Sequence, residues 1–350
     1  EKTGDKCLIA RLGGDEFVVV PNSPMTAEAA RELATELQSA LRERVSIDGE
    51  MLTRTVSIGV ALGTPGQDST SDLLRKAGHA VLNAKNDGGN VIAVYSEDLA
   101  LKAAFRNDIE LHLQGVVESD ALVLHYLPEI DMRTGEVLAT EALVRWQHPT
   151  RGLLLPDSFI GVAESINLAG ELGRWVMRRA CAEFSSWRAR GIGQHATLRL
   201  NVSPVQLVSE GFAEAVAETL ADFDLPGESV CLEITESLVV QDIETTRITL
   251  AALKEVGVQI AIDDFGTGYS VLTHLKSLPV DTLKIDRSFV RDLGENAGDL
   301  AIVRAVIALA DAFGLAVVAE GVETSAAAEI LLRHGCYRAQ GFLLSRPLSS

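Results

Sequence analysis

Glu141, Asn201, Glu233, the consecutive pair Asp263 and Asp264, Lys284 with Asp286, Glu320 and Gln340 each fall within or just after a short apolar run. Gathered in one cleft, their carboxylates would repel one another at neutral pH, because each buried like charge raises the pKa of the next. Divalent cations relieve that repulsion. The donors are oxygens, with no Cys or His among them, which selects hard ions such as Mg²⁺ or Mn²⁺ over Zn²⁺. Asp263 and Asp264 can each face a different ion, and two ions about 4 Å apart are a common device for activating water against a phosphodiester. Lys284 adds a fixed positive charge that can steady a pentavalent phosphorane or orient the water. Taken singly, any of these acids reads as a solvated loop residue or a helix cap, and Lys284 as a surface side chain. Their joint placement reverses that reading.

The elements that must position them follow from the hydrophobic pattern. From Ala121 onward, short apolar strands end in polar clusters and mostly alternate with amphipathic helices. The strands expected are Val123 to Tyr126, Val137 to Trp146, Thr197 to Val202, Val230 to Thr235, Gln259 to Ile262, Thr282 to Ile285, Ala316 to Ala319 and Ala339 to Leu343. This rhythm suggests a closed α/β barrel of the TIM type, whose parallel strands would bring their ends to one mouth. Upstream, the pattern reads strand (Lys6 to Arg11), Gly-Gly turn, strand (Glu16 to Val20), helix (Ala27 to Arg44), strand (Thr53 to Ala61), helix (Thr70 to Lys85) and strand (Val91 to Tyr95). That is a partial α/β domain over residues 1–97, with 98–107 the expected linker and 108–350 the barrel.

Composition narrows the partners. Lys+Arg 31 against Asp+Glu 49 leaves a net charge of −18, a field that repels nucleic-acid polymers and anionic membranes. An anionic small substrate then needs a cation between it and the protein. Cys7, Cys181, Cys231 and Cys336 form no CxxC or Cys/His spacing, so neither a disulfide framework nor a zinc module is expected, and a reducing cytoplasm is the expected setting. The apolar stretch Leu300 to Val322 is interrupted by Arg304, Asp311 and Glu320, which does not suit a membrane span. The opening at Glu1, almost directly into a strand, reads as a fragment whose parent carries more upstream, with a membrane anchor there among the options. His125, His148 and His274 lie in or near apolar segments and read as structural, and Trp146, Trp175 and Trp187 as packing residues.

The ordered motifs are specific. Glu141-Ala142-Leu143-Val144-Arg145, Asn201-Val202-Ser203, Glu233-Ile234-Thr235-Glu236, Asp263-Asp264-Phe265-Gly266-Thr267-Gly268, Lys284-Ile285-Asp286, Glu320-Gly321-Val322-Glu323 and Gln340-Gly341-Phe342 resemble the EAL family of cyclic-di-GMP phosphodiesterases. The resemblance implies a TIM-like (β/α)₈ barrel that hydrolyses cyclic-di-GMP to linear pGpG with metal-activated water, with two Mg²⁺ or Mn²⁺ ions expected. It further implies that Glu141, Asn201, Glu233 and Asp263 hold the first metal and that Asp264 helps hold the second. Glu320 is a metal ligand or the general base. Lys284 touches the nucleophilic water, and Asp286 completes the catalytic set. Arg145, Leu143, Gln340 and Glu323 line the substrate. Glu236 positions the loop carrying Phe265, Gly266, Thr267 and Gly268, which couples metal binding to a homodimer through the barrel. The sequence departs from the family at Leu127, where Gln often precedes the Pro, and at Tyr337, often acidic. It also stops before the barrel's expected last helix. A non-catalytic cyclic-di-GMP receptor is the alternative, although such members usually lack a metal ligand.

Gly13-Gly14-Asp15-Glu16-Phe17, with Val56-Ser57-Ile58-Gly59 and Lys85-Asn86-Asp87-Gly88-Gly89-Asn90, is similar to the second half of the GGDEF family of diguanylate cyclases. In that family the Gly pair approaches a guanine nucleotide and the residue at Glu16 is a metal ligand. The product-inhibition motif Arg-x-x-Asp is absent at Gly4 to Cys7, and Gly78 and Leu82 replace the usual Asp and Tyr. No cyclase activity is expected from this chain. GTP binding would belong to the complete domain of a parent, where it could regulate the barrel.

Overall fold

A computed structural model of the chain describes all residues except 1–5, 43–44, 48–49, 53–54, 65, 87, 237, 239–242, 268–274 and 295. It divides into two compact units, the second beginning at Glu110, and the residues expected as a linker lie within the helix Glu97–Leu113. Among the described residues no helix is long and apolar enough to cross a membrane.

In the first unit, β1 (Cys7–Gly13) and β2 (Glu16–Pro21) form an antiparallel hairpin. Thr26 caps the helix Ala27–Leu41, its side chain accepting from the Ala29 N–H. Short strands β3 (Val45–Ile47) and β4 (Glu50–Leu52) pair antiparallel, while β5 (Ile58–Val60) runs parallel to β6 (Ile92–Val94). The strand expected from Thr53 to Ala61 begins in residues outside the described ones, and its described part is strand only at Ile58–Val60, because β6 offers only three residues to pair with. The helix Thr70–Asn86 lies directly on β5. A Cβ at Gly59 would stand 2.3 Å from the Ala77 carbonyl oxygen, so only glycine permits this approach.

The second unit is a closed barrel of eight strands: β7 (Leu122–Asp131), β8 (Val137–His148), β10 (Thr197–Asn201), β11 (Val230–Thr235), β12 (Gln259–Phe265), β13 (Thr282–Ile285), β14 (Ala316–Ala319) and β15 (Arg338–Ala339). A short β9 (Gly152–Leu154) extends β8, and β16 (Leu348–Ser349) pairs with β7. The barrel is not wholly parallel, which corrects the sequence expectation: β7 runs antiparallel to both β8 and β15. Only Met132 to Glu136 join β7 to β8, closed by the Gly135 N–H donating to the Asp131 carbonyl at 2.8 Å with Gly135 at φ +77°. So short a connection makes a hairpin, since a parallel crossover needs a dozen residues or more. β15 is also shorter than expected, because after Gln340 the chain turns at Gly341 to pair with Val322.

Alternation sorts the barrel side chains. Leu198 and Leu200, Leu232 and Ile234, Ile260 and Ile262, and Leu283 and Ile285 are all buried, and the polar residues occupy the other parity. Helices Ala169–Ala189, Phe212–Asp222, Ile243–Val256, Ala297–Phe313 and Ser325–Arg333 follow the strands. Trp146 is buried edge-on to Phe159 at 5.7 Å and to His148 at 4.7 Å, and Trp187 packs on Tyr126 at 4.5 Å. These rings are packing elements. His274 lies outside the described residues.

Candidate active site

The odd-numbered residues of β8, β10, β11 and β12 place Glu141, Asn201, Glu233 and Asp263 on one side of their strands, and the register pairs Asn201 with Glu233. Lys284 on β13 enters the same space. Glu320 and Gln340 follow β14 and β15, held by ladder bonds from Glu320 N–H to the Ile285 carbonyl at 3.1 Å and from Gln340 N–H to the Ala319 carbonyl at 2.9 Å. The backbone continuing the sheet therefore aims both side chains inward.

Lys284 is the hub. Its Nζ is wholly buried and lies 2.6 Å from Glu320 Oε1, 2.8 Å from Glu233 Oε2, 3.4 Å from Asp263 Oδ1 and 3.5 Å from Glu141 Oε2. Burial alone would strip its proton, but these carboxylates outweigh it and hold its pKa well above the ordinary value. The acids diverge. Burial pushes Glu233 up to about 8, with Lys284 opposing and Glu141 and Asp263 adding to the rise. Glu320 is raised by the same burial and by Asp263 and Glu141. Glu141, equally buried, is lowered: against desolvation stand Lys284 and two amide donors, Gln340 Nε2 at 2.6 Å on Oε2 and Asn201 Nδ2 at 2.7 Å on Oε1.

Asp264 supplies a second feature. Consecutive strand residues face opposite ways, yet Asp264 sits at φ +54°, where the β12–β13 register shifts, and this left-handed backbone breaks the alternation. Carboxylate oxygens of Asp263, Asp264 and Glu320 consequently lie within 4.8 Å of one another. Burial and the nearby Asp263 and Asp286 raise the pKa of Asp264 to about 6. An all-oxygen donor set at this spacing fits a hard divalent cation, which would take up the charge that the acids otherwise share with Lys284 and with protons.

The remaining expected residues are more dispersed. Asp286 caps the helix Arg287–Val290, accepting from the Ser288 N–H at 3.0 Å and from the Ser288 hydroxyl, and stands close enough to Asp264 to raise its pKa. Leu143 and Arg145 continue the face of Glu141 along β8; Arg145 is buried and donates to the Val144 carbonyl at 2.9 Å. Glu323 is exposed beyond the site. Phe265 is buried, Gly266 N–H donates to Glu236 Oε2 at 2.9 Å, and Thr267 Oγ1 donates to the Asp264 carbonyl at 2.9 Å, so Glu236 ties down the chain just after the acidic pair. Gly268 lies outside the described residues. Sequence reasoning missed Arg199 and Glu129, both buried below this layer; Arg199 shares the parity of Asn201 between two leucines, and that pattern was the available signal.

In the first unit, Asp15, Glu16 and Phe17 are exposed at the hairpin tip, where Gly14 adopts φ +51° and its carbonyl accepts from Arg11 Nε at 2.9 Å and Nη2 at 2.6 Å. Gly13 pairs with Glu16 across the turn. Neither acid belongs to a cluster able to hold a metal among the described residues.

A TIM-like barrel with buried carboxylates, two amides and one lysine converging at its mouth defines the class to which the second unit belongs. Residues 110–347 match the EAL domain profile, and the chain belongs to that family; residues 2–91 match the profile of the diguanylate cyclase GGDEF domain. The chain is 64% identical over 341 residues to an uncharacterized protein of Mycobacterium tuberculosis, covering 97% of this chain and 55% of that protein. It thus spans about half the length of the curated relatives it matches. Among solved structures it resembles the EAL domain of Mycobacterium smegmatis DcpA, at 71% identity with a TM-score of 0.59, covering 65% of this chain and 94% of that one. It also resembles the MucR phosphodiesterase of Pseudomonas aeruginosa in complex with cyclic-di-GMP, at 40% identity with a TM-score of 0.67, covering 69% and 98%.

Proposed function

We propose that the barrel is a cyclic-di-GMP phosphodiesterase releasing linear pGpG. The observation that carries this reading is the convergence of Glu141, Glu233, Asp263 and Glu320 on Lys284, with Asp264 beside the last two, and no member replaced by a side chain unable to bind a cation. A catalytically silent receptor would have no need to keep so many like charges buried together.

Glu141, Asn201, Glu233, Asp263, Asp264 and Glu320 would hold Mg²⁺ or Mn²⁺, two ions being the arrangement that the paired aspartates favour. Bound there, the ions would supply Lewis acidity and neutralise charge on a phosphodiester. The chain's own groups do the rest. Arg145 binds a non-bridging phosphate oxygen, and Lys284 stabilises the charge that builds on phosphorus's oxygens during attack. Glu320, deprotonated once a cation takes up the charge of its neighbours, accepts the proton of the attacking water. Water oxygen bonds to phosphorus, the bond to the 3′ oxygen breaks, and that oxygen takes the proton back from Glu320 to leave as a hydroxyl, so the product keeps a 5′ phosphate. Glu236 steadies the chain after Asp264, and dimerisation through the barrel would act on the site by this route. The setting is cytoplasmic, and the first unit would make no cyclic-di-GMP, since Gly78 and Leu82 replace the Asp and Tyr usual in its family.

Product chromatography tests the reading. The purified chain with Mg²⁺ or Mn²⁺ should convert cyclic-di-GMP to pGpG, and Glu141→Ala should abolish conversion while staying folded. A wild-type chain that leaves the substrate intact with both ions would sink the proposal.

A further inference from the structure

Below the acidic layer lies a second charged layer with no task in the mechanism above. Arg199 is 1% exposed and Glu129 not at all. Arg199 Nε donates to Glu129 Oε2 at 2.6 Å, while its Nη1 reaches Glu233 Oε1 at 3.3 Å. The other oxygen of Glu129 is held by Arg338 Nε at 2.5 Å. Glu233 is therefore gripped at both oxygens by different cations, Oε1 from below by Arg199 and Oε2 by Lys284 at 2.8 Å.

Stability does not account for this layer. Buried ion pairs seldom outperform well-packed apolar side chains of the same volume, because each ion's desolvation offsets the attraction. What a clamped guanidinium supplies is geometry. The terminal torsion of a glutamate is broad and nearly two-fold, so an unheld carboxylate can present either oxygen over a wide arc. Arg199 cannot swing, since its fork is planar and its Nε is fixed on Glu129. Its place follows from the strands: it lies two residues before Asn201 on β10, on the same face and one layer deeper, and β7 descends from the mouth to bring Glu129 opposite it.

We propose that Arg199, clamped by Glu129, is a positioning residue that fixes the rotation of the Glu233 carboxylate beside Lys284, the orientation in which Glu233 would help hold a divalent cation in the pit. This inference rests on the reading of Glu233 as a cation ligand. Groups that orient the ligands of a metal are commonly worth 10- to 100-fold in affinity, so roughly that loss is expected when the clamp is removed.

The test uses the full chain and Mn²⁺ alone, with affinity read without substrate from the free-Mn²⁺ paramagnetic resonance signal, and cleavage kinetics measured in parallel. Glu129→Leu combined with Arg199→Met removes the pair without stranding either charge on the other. This double variant should bind Mn²⁺ about 10- to 100-fold more weakly, need correspondingly more metal for half-maximal rate, and keep a kcat near wild type at saturating Mn²⁺. Arg199→Lys, which keeps the charge but not the fork, should show an intermediate loss. Leu253→Ala, a buried truncation in the helix Ile243–Val256, should lower stability without changing Mn²⁺ affinity. Wild-type Mn²⁺ affinity in the folded double variant, or an equal loss in Leu253→Ala, overturns the proposal; should the double variant not fold, wild-type affinity in Arg199→Lys does so. A wild-type chain that binds Mn²⁺ without cleaving substrate defeats only the hydrolytic reading, whereas one that binds no Mn²⁺ defeats both.

Discussion

Lys284 and Glu141 show how neighbours, rather than burial, decide the charge state of a buried group. Both are sequestered, yet Glu141 is lowered where Glu233 is raised, because Glu141 alone receives an amide proton on each oxygen. Lys284 is the counter-ion common to four acids. Its replacement by Met should therefore cost more than a lost ion pair, since the acids would be left facing one another. Breaking a buried pair by removing one partner typically costs about 3–5 kcal/mol, and Lys284→Met should lose an amount of that order in urea unfolding with EDTA at pH 8. Adding Mn²⁺ should return part of it, as a cation replaces the missing charge. A variant as stable as wild type without metal would show that the acids do not depend on Lys284.

At the scale of elements, the site is made by how strands end. β14 and β15 stop at Ala319 and Ala339, and the chain beyond each is drawn together by Val322 N–H donating to the Gln340 carbonyl at 3.1 Å. Gly341 makes this closeness affordable: a Cβ there would lie 2.3 Å from the Val322 nitrogen. Gly341→Ala should push Gln340 off Glu141, destabilising the barrel by roughly 1–3 kcal/mol, as overpacking does, and weakening Mn²⁺ binding together with stability. Unchanged stability would mean that the turn can shift without strain. Much of this was legible beforehand. β11, β13 and β14 lie where hydrophobic runs bounded by polar residues put them, and the acids fall within or just after strands as read. The direction of β7 was not read, because alternation is blind to polarity and because the strand, expected to end at Tyr126, runs on to Asp131 and leaves a connection short enough for a hairpin. The left-handed turn at Asp264 was hidden as well, since Asp adopts it only under the constraint of its neighbours. Arg199 and Glu129 look like solvated charges until a closed barrel puts both inside.

For the molecule as a whole, the acidic pit makes stability a function of pH and metal together. An acid whose pKa is raised by folding keeps in the native state a proton that the unfolded chain has already released. Stability is then full below the unfolded value, near 4.5, and falls as pH rises toward the folded one. Glu233, raised to about 8, Asp264, raised to about 6, and Glu320 all have this sign. Glu141 has the opposite sign, but its lowered pKa places its window below the ordinary carboxylate range, outside pH 5 to 8. Metal-free chain should therefore lose stability across that interval, by up to about 1.4 kcal/mol per pH unit for each proton so held. Divalent ions reverse the trend, because they bind the deprotonated acids and displace those protons, so their stabilising effect grows with pH. Melting curves at pH 5.5 and 8.0, in EDTA and in excess Mg²⁺, should show the EDTA midpoint falling with pH and the gap between the two conditions widening. An EDTA midpoint that stays level, with a metal increment independent of pH, would mean that the acids carry no shared protons and that their crowding is relieved in some other way.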